Sequence, residues 1–442
     1  MKSTQRITAA AVAALAIFAG ASLSAQNAES AQPGSQDDFE SALFGGAGNS
    51  AAGPATAAES AQPTASSFDA LAATGEKRST EYLVGGTVVV SSTTMISNKN
   101  ETTTSLANAG GTFLGKVTVP DAGALFASFS ASYPFFQGYA GTATPPPAAK
   151  DDAPKFALSE LHYSFDIGKV AFFRLGKQLV AWGPSVVWTP VDFVNADKKD
   201  SFASVDSRAG KNGLRVHVPL GRANAFAFAD FSPMTKSGTY GYPVETVNLG
   251  GRIDFTAADF EFGFTAYGGK NAQAKFGADF SGRAIGTTLY GEASIAPGAD
   301  AANSGYLVSA GFSRPLDELK RWTVSGEAFY NSRGKDLSVY TAKEFAELPA
   351  EARIPLYQGA VYGYASIAAD KLPVDGLSSA LSGIINAQDR SGWIKFSETV
   401  AVARAVPITV SVAWYGGGDN REFTRATGDE AIVAAISTRI AF

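Results

Sequence analysis

The chain has 442 residues, 45% of them hydrophobic and 17% charged, with a formal net charge of -5 and no cysteine. Without a thiol there is no disulfide staple, thiolate metal site, cysteine nucleophile or lipidated N-terminal cysteine. Beyond the first 25 residues no run of about eighteen apolar residues occurs, so a membrane-spanning helix is not expected there. The hydrophobicity is spread thinly, as alternating strands spread it.

At the N-terminus Lys2 and Arg6 precede an apolar stretch from Ile7 to Gly20 and the small-residue run Ala21, Ser22, Leu23, Ser24, Ala25. This is the layout of a secretory signal peptide over 1–25, with Gln26 as the expected first mature residue. Its removal takes away two cations and no acid, so the net charge goes from -5 to -7. Residues 26–80 are rich in Ala, Ser, Gly, Gln and Pro, and the stretch Ala28-Glu29-Ser30-Ala31-Gln32-Pro33 recurs as Ala58-Glu59-Ser60-Ala61-Gln62-Pro63. Such a composition buries no core and reads as a disordered periplasmic arm. Short apolar clusters accompany the two copies, Phe39, Leu43 and Phe44 beside the first and Phe68 and Leu71 beside the second. A pair of docking peptides for a periplasmic partner is the alternative to a plain linker. The arm holds seven acids and two bases, so most of the net charge lies there.

From residue 81 to 442 the pattern changes to segments of about ten residues with alternating character, the signature of a transmembrane antiparallel β-barrel. Strands are expected at 82–95, 111–119, 124–133, 155–166, 169–177, 213–219, 223–231, 246–256, 259–268, 273–281, 284–295, 304–313, 322–331, 357–368, 376–387, 391–403, 407–416 and 431–442. That makes an all-β fold of about eighteen strands, or sixteen if one hairpin is miscounted. Short connections, among them Pro120-Asp121-Ala122-Gly123, Asp166-Ile167-Gly168, Leu220-Gly221-Arg222 and Ser281-Gly282-Arg283, alternate with long ones at 134–154, 178–212, 232–245, 332–356 and 417–430. The alternation slips near Asn271 and at Asp389-Arg390-Ser391. An even strand count puts both ends of the barrel in the periplasm.

Each strand assigns its own faces, because the lipid side must be apolar and the lumen side can be polar. In the last segment Ile432, Ala434, Ile436, Ile440 and Phe442 share a face with Thr438, and Ser437 and Arg439 take the other. Leu161, Tyr163 and Phe165 point outward and Glu160 and His162 inward; Leu214, Val216 and Val218 outward and Arg215 and His217 inward. Arg174 lies inward between Phe173 and Leu175, as do Arg252 and Asp254 beside the outward Val247, Leu249, Ile253 and Phe255; Glu292, Glu327 and Lys395 project the same way. These eleven inward residues are the candidate pore lining. Their mixed signs fit water or a polar plug, with ion pairs bracing the walls as the simpler role. Trp182, Trp188, Trp322, Trp393 and Trp414 read, where they fall near strand ends, as interfacial girdle residues.

The run Arg174-Leu175-Gly176-Lys177-Gln178-Leu179-Val180-Ala181-Trp182-Gly183, followed by Trp188-Thr189-Pro190-Val191-Asp192-Phe193-Val194-Asn195, resembles a motif of porin-like bacterial outer-membrane barrels, alginate-export-type barrels among them. Asn386-Ala387-Gln388-Asp389-Arg390-Ser391-Gly392 is similar to the N-x-x-D-x-S-G hairpin of such barrels. A C-terminal aromatic on an amphipathic last strand likewise looks like the signal read by the barrel assembly machinery. The resemblance implies a large single-chain barrel whose connection after the Arg174 strand folds into the lumen. The residues point the same way: 178–212 is long, Gly183, Pro184 and Pro190 break regular pairing, and Trp182, Val186, Val187, Trp188 and Phe193 supply apolar anchors. Lys198, Lys199, Asp200, Asp206, Arg208 and Lys211 add a polar face. Trp182, Gly183, Trp188, Pro190, Asp192 and Asn195 are therefore the candidate constriction residues, an external loop packed on its neighbours being the alternative. The inward charges form no long basic ladder of the kind a polyanionic polysaccharide needs.

The expected function is a porin-type channel of the outer membrane for passive or weakly selective passage of small solutes, with membrane lipid, the assembly machinery and those solutes as partners. A transporter of an apolar substrate such as fatty acid, suggested by thirty Phe, and a surface-exposed binding or adhesion barrel are the alternatives. Catalysis is not expected, since His162 and His217 lie on separate strands with no motif around them. No zinc spacing, calcium loop or phosphate-cradling Gly loop occurs, so no metal, cofactor or nucleic acid is expected.

Overall fold

A computed structural model describes residues 79–97, 102–140, 153–195, 209–233, 246–270, 272–298, 304–334, 357, 359–372, 374–403, 406–418, 421–424 and 430–442. The signal peptide, the arm with its duplicated segment, and Lys198, Lys199, Asp200, Asp206 and Arg208 lie outside the described residues.

Eighteen strands form: β1 Glu81–Ser97, β2 Thr102–Val119, β3 Gly123–Ala140, β4 Lys155–Ile167, β5 Ala171–Gln178, β6 Lys211–Leu220, β7 Ala223–Asp230, β8 Asn248–Ala257 and β9 Phe260–Gly269 in the first half. The second half holds β10 Ala272–Ala284, β11 Thr287–Ala296, β12 Gly305–Pro315, β13 Trp322–Asn331, β14 Val361–Asp370, β15 Leu377–Asn386, β16 Gly392–Ala403, β17 Val406–Gly416 and β18 Ala431–Ala441. Every strand pairs antiparallel with its neighbour in sequence, and β1 pairs with β18 from Thr87↔Ala441 to Ser97↔Ala431, closing the sheet. Closure leaves no unpaired edge, which is the condition a sheet must meet to cross hydrocarbon.

Exposure runs opposite to that of a soluble protein. On the paired strands β15 and β16, Ile385 and Ile394 are 52% and 53% exposed, while Ile384 and Trp393, one residue away, are 3% and 7% exposed. The apolar residues with open surroundings form the lipid-facing belt, and the buried ones face the filled interior. Aromatic ladders reinforce that belt, with Tyr163, Phe165 and Phe173 at ring separations of 5.7 and 5.1 Å.

One end of the barrel carries tight turns and the other the long connections, together with three short ones, between β1 and β2, β9 and β10, and β15 and β16. Chain entry at Glu81 and the terminus at Phe442 both lie at the turn end, where Gly86 and Phe442 exchange backbone hydrogen bonds of 3.0 and 3.1 Å. Several expected boundaries move: β3 runs to Ala140, seven residues past its expected end, so the connection expected at 134–154 starts later, and β14 begins at Val361 instead of 357. β2 begins at Thr102, nine residues before its expected start, because the Thr- and Ser-rich stretches of β1 and β2 keep pairing, Thr94 opposite Ser105, although they carry no apolar alternation. The β10–β11 turn falls at Ile285-Gly286 instead of Ser281-Gly282-Arg283, with positive φ at both residues (51° and 71°). A β-branched residue seldom adopts that conformation, so Ser-Gly is the stronger turn signal in the sequence.

The interior holds two apolar clusters. One contains Val180, Trp182, Val191, Val194 and Phe228; the other contains Val187, Trp188, Phe329, Tyr357, Tyr362, Ile384 and Trp393. Trp393 thus departs from the girdle expectation: it faces the lumen, as do Trp182 and Trp188, and only Trp322 and Trp414 are exposed. Phe126, Phe228 and Phe329 also turn inward, against the outward majority of the described Phe residues.

Candidate functional site

The site begins where β5 ends. Gln178 is fully buried, and its side-chain amide donates to the carbonyls of Arg174 (3.1 Å) and Gly213 (3.2 Å). Lys177 donates to the Leu158 carbonyl at 2.5 Å, and the Leu179 N–H donates to Glu160 at 2.8 Å. These bonds tie both adjoining strands to the point where the chain leaves the wall. From there residues 179–195 run through the interior. Trp182 packs beside Gly250 of β8, where a Cβ would come within 2.9 Å of the indole.

Two carboxylates hold the tip of this segment. Glu327 of β13, 4% exposed, accepts the N–H groups of Val186 (3.0 Å), Val187 (3.1 Å) and Trp188 (2.8 Å), and the Tyr290 hydroxyl at 3.1 Å. Glu292 of β11, 3% exposed, accepts from Ser185 N–H at 2.8 Å and Val191 N–H at 3.0 Å. The geometry has a simple electrical logic. An irregular segment without a sheet partner has free N–H groups, and inside a barrel a carboxylate that accepts several of them satisfies donor and acceptor together. Gly183 has φ +96°, and a Cβ there would collide with the Glu292 carboxylate and with Val191, so glycine lets the chain come this close.

Beyond the tip the chain turns back. Asp192 N–H donates to the Thr189 carbonyl at 3.2 Å, across the buried Pro190. Asn195 donates to Asp192 at 2.9 and 3.1 Å and to the Val180 carbonyl, which closes the excursion on itself. Trp188 stacks on Phe329 at 5.4 Å and meets Tyr357 edge-on at 5.5 Å. The candidate constriction residues Trp182, Gly183, Trp188, Pro190, Asp192 and Asn195 are thus together, on one segment inside the barrel. Lys211 lies on β6 opposite Gln178.

Nine of the eleven candidate lining residues fall into three groups. Arg174 and Arg215 stand directly opposite each other on β5 and β6, a pairing of like charges that a sheet normally avoids. Lys116, Arg174 and Arg215 all act electrostatically on His162, with Glu160 beside Arg174 and Asp254 within the field of Arg215. Aromatic rings line this wall: His162 lies 5.0 Å from Phe126, His217 stacks on Phe226 at 4.4 Å and bonds Asn224 at 3.0 Å, and the Arg215 guanidinium sits 5.0 Å over Phe226. Next to it, Arg252 makes a two-pronged bridge to Asp279 (2.5 and 2.9 Å), bonds Thr265 at 3.1 Å and pairs with Asp254 at 2.5 Å. The third group, Glu292 and Glu327, holds the constriction segment. Lys395 and Arg439 are away from these groups, Lys395 opposite Ser382 and Ala413 and Arg439 opposite Val89.

Sequence reasoning missed the partners of these side chains. Ser185, Ser309, Tyr290 and Tyr362 carry no local signal, because the partners that give them their place, Glu292, Glu327, Glu422 and each other, lie far away in the chain. Among the described residues no group of three or more His, Cys, Asp or Glu could hold a metal ion.

No protein-family model and no curated protein matches the chain by sequence. The fold is similar to solved structures. Acinetobacter baumannii OccAB1 aligns with a TM-score of 0.52 at 11% identity, over 82% of this chain and 96% of that one. Pseudomonas aeruginosa OccK8 (OprE) aligns at 0.52 and 10% identity over 82% and 98%, and Pseudomonas aeruginosa OprD at 0.50 and 8% over 81% and 95%. At such identities the likeness is one of fold, and the fold is a porin-like eighteen-stranded barrel.

Proposed function

We propose that the chain is an outer-membrane channel of the porin type, through which small polar solutes pass the constriction formed by residues 179–195. The observation that carries this reading is the attachment of Ser185, Val186, Val187 and Trp188 to Glu292 and Glu327 inside the barrel. A segment fixed across a lumen by buried carboxylates narrows it permanently, and the polar wall of Lys116, Arg174, Arg215, Arg252, Asp254 and Asp279 suits hydrated solutes. The apolar outer belt and the closed sheet support a place in the outer membrane, with the turn end and the N-terminal arm toward the periplasm. Phe442, directly after the last strand, supports recognition by the barrel assembly machinery.

The charged wall formed by Lys116, Arg174 and Arg215 and the neighbouring Arg252, Asp254 and Asp279 favours a polar solute over an apolar substrate. The likeness of the short motifs to alginate-export-type barrels stops at architecture in this reading. Glu160, Asp254 and Asp279 interrupt the basic wall, and a polyanionic polymer needs an unbroken one. His162 and His217 are assigned no catalytic part, as each is packed on a ring of the wall.

Purified protein in planar bilayers should give discrete conductance steps. Replacing 184–190 by a short Gly-Ser link should raise the step size. An ion-tight barrel in both forms sinks the reading.

A further inference from the structure

The hairpin between β15 and β16 leaves Ala387, Gln388 and Arg390 exposed but turns its other polar side chains inward, although it sits at the loop end where such groups usually stand in water. Asn386, Asp389 and Ser391 are all at most 2% exposed. Asn386 has the same strand parity as Ile384 and so faces the lumen. Within the hairpin, Asn386 Oδ1 accepts from Gln388 N–H at 2.9 Å, and Asp389 Oδ1 accepts from the N–H and hydroxyl of Ser391 at 2.8 and 2.7 Å. That leaves Asp389 Oδ2, Ser391 Oγ and the Asn386 amide turned toward another part of the chain.

All three are met by Arg421–Thr424 of the β17–β18 connection. Glu422 N–H donates to Asp389 Oδ2 at 2.8 Å, and Phe423 N–H donates to Ser391 Oγ at 3.3 Å. The Glu422 carboxylate accepts from Asn386 Nδ2 at 2.6 Å and from the Tyr362 hydroxyl at 2.5 Å, both on the same oxygen. Thr424 closes the turn through Gly418 and Arg421. Tyr362 then links this assembly to the constriction, since its ring packs on Trp188 at 6.0 Å and on Phe329 at 6.2 Å. Phe423 packs against the same cluster.

We infer that the Asn386–Gly392 hairpin is a clasp that holds Arg421–Thr424 on the lumen side of the wall, with Glu422 as a positioning residue that couples this second inward segment to residues 179–195 through Tyr362. The constriction is then a two-part structure. One part hangs from Glu327 and Glu292, and the other from Asp389, Ser391 and Asn386. This deepens the channel reading above and rests on it.

The test uses the full chain, whose lack of cysteine makes any introduced thiol unique. Ser391→Cys keeps the size of a side chain that is fully buried under Phe423, and a charged methanethiosulfonate reagent should label it slowly. Adding Glu422→Ala should accelerate labelling by about tenfold or more, as expected when two hydrogen bonds to a carboxylate are lost. Adding Glu422→Gln should leave labelling slow, because one amide carbonyl can accept both bonds. Tyr362→Phe, which keeps the ring on Trp188, should accelerate labelling to a lesser degree and serves if Glu422→Ala fails to assemble. In bilayers Glu422→Ala should give noisier steps than Glu422→Gln. Equal labelling of all forms overturns the clasp, and fast labelling with unchanged steps overturns its coupling to the constriction. If no form conducts while the labelling contrast holds, the channel reading fails and the clasp stands.

Discussion

Ser185 on the constriction segment and Ser309 on β12 meet hydroxyl to hydroxyl at 2.7 Å, both buried and 124 residues apart in sequence. Two serine oxygens this close place their Cβ atoms near the separation that a disulfide spans, about 3.8 Å. The pair Ser185→Cys and Ser309→Cys should therefore oxidise spontaneously in a chain with no competing thiol. Because the cross-link fixes the segment where it already sits, the conductance step should match that of the parent, and reduction should not change it. Mass analysis that finds only free thiols after oxidation would show that residues 184–187 do not rest on β12.

Glu327 presents both carboxylate oxygens to donors: Oε2 to Val186 N–H, Val187 N–H and the Tyr290 hydroxyl, Oε1 to Trp188 N–H. A glutamine offers one acceptor and would press an NH2 group against an N–H. Glu327→Gln should thus be nearly as damaging as Glu327→Ala, each releasing the tip and raising both step conductance and protease cleavage between 179 and 195. A single lost bond to a charged acceptor is worth about 1.5–3 kcal/mol, enough for at least a tenfold change in the population of released tips. The telling measurement is the comparison of the two variants. A Glu327→Gln barrel that conducts and resists protease like the parent would remove the double-acceptor argument.

These relationships mark the boundary of what the sequence discloses. β13 is readable to its ends as Trp322–Asn331, because alternation is a local property that each strand carries by itself. The inward direction of Glu292 and Glu327 follows from the same alternation. What each carboxylate holds does not, since the three backbone donors to Glu327 lie 139 to 141 residues earlier and nothing in the side chains of Val186, Val187 and Trp188 marks their N–H groups as its partners. Trp393 shows the opposite failure. Its place near a strand end reads as interfacial, yet it faces the lumenal cluster in which Val187 and Trp188 of the inserted segment join Phe329, Tyr362 and Ile384 of the wall. The turn at Ile285-Gly286 was hidden because local propensity favours the Ser-Gly pair, and the cross-strand register of Ala284 with Thr287 overrides it.

Arg215 stands opposite Arg174 with Lys116 and His162 close by, so in the channel reading this wall should concentrate anions near it. Reversing one charge should change the local potential by at least about one kT, which alters counter-ion concentration about threefold. Arg215→Glu should shift the reversal potential in a KCl gradient toward K+ by a corresponding amount. Lys395→Glu, on the far side of the barrel from this wall, should shift it less. Equal shifts for the two variants would mean that the passage does not follow the β5–β6 wall.

The barrel closes where Gly86 and Phe442 exchange both backbone hydrogen bonds, one residue beyond the last strand. A Cβ at position 86 would come within 2.7 Å of the Thr112 carbonyl oxygen and 3.0 Å of the Phe442 ring, so glycine is what permits the aromatic terminus to lie on the seam. The ring also sits 6.2 Å from Phe113, tilted at 54°, so the seam has an aromatic contact as well as a ladder. Gly86→Ala should therefore cost about 1–3 kcal/mol by overpacking. Phe442→Ala removes the ring that the new methyl would strike and should recover part of that loss in the double variant, although it forfeits the Phe113 contact. Urea unfolding of barrels refolded in detergent, followed by the shift from compact to extended mobility, measures all three. The decisive quantity is the interaction energy between the two substitutions. If it is near zero, Gly86 is small for the sake of Thr112 alone, and the terminal ring has no part in closing the seam.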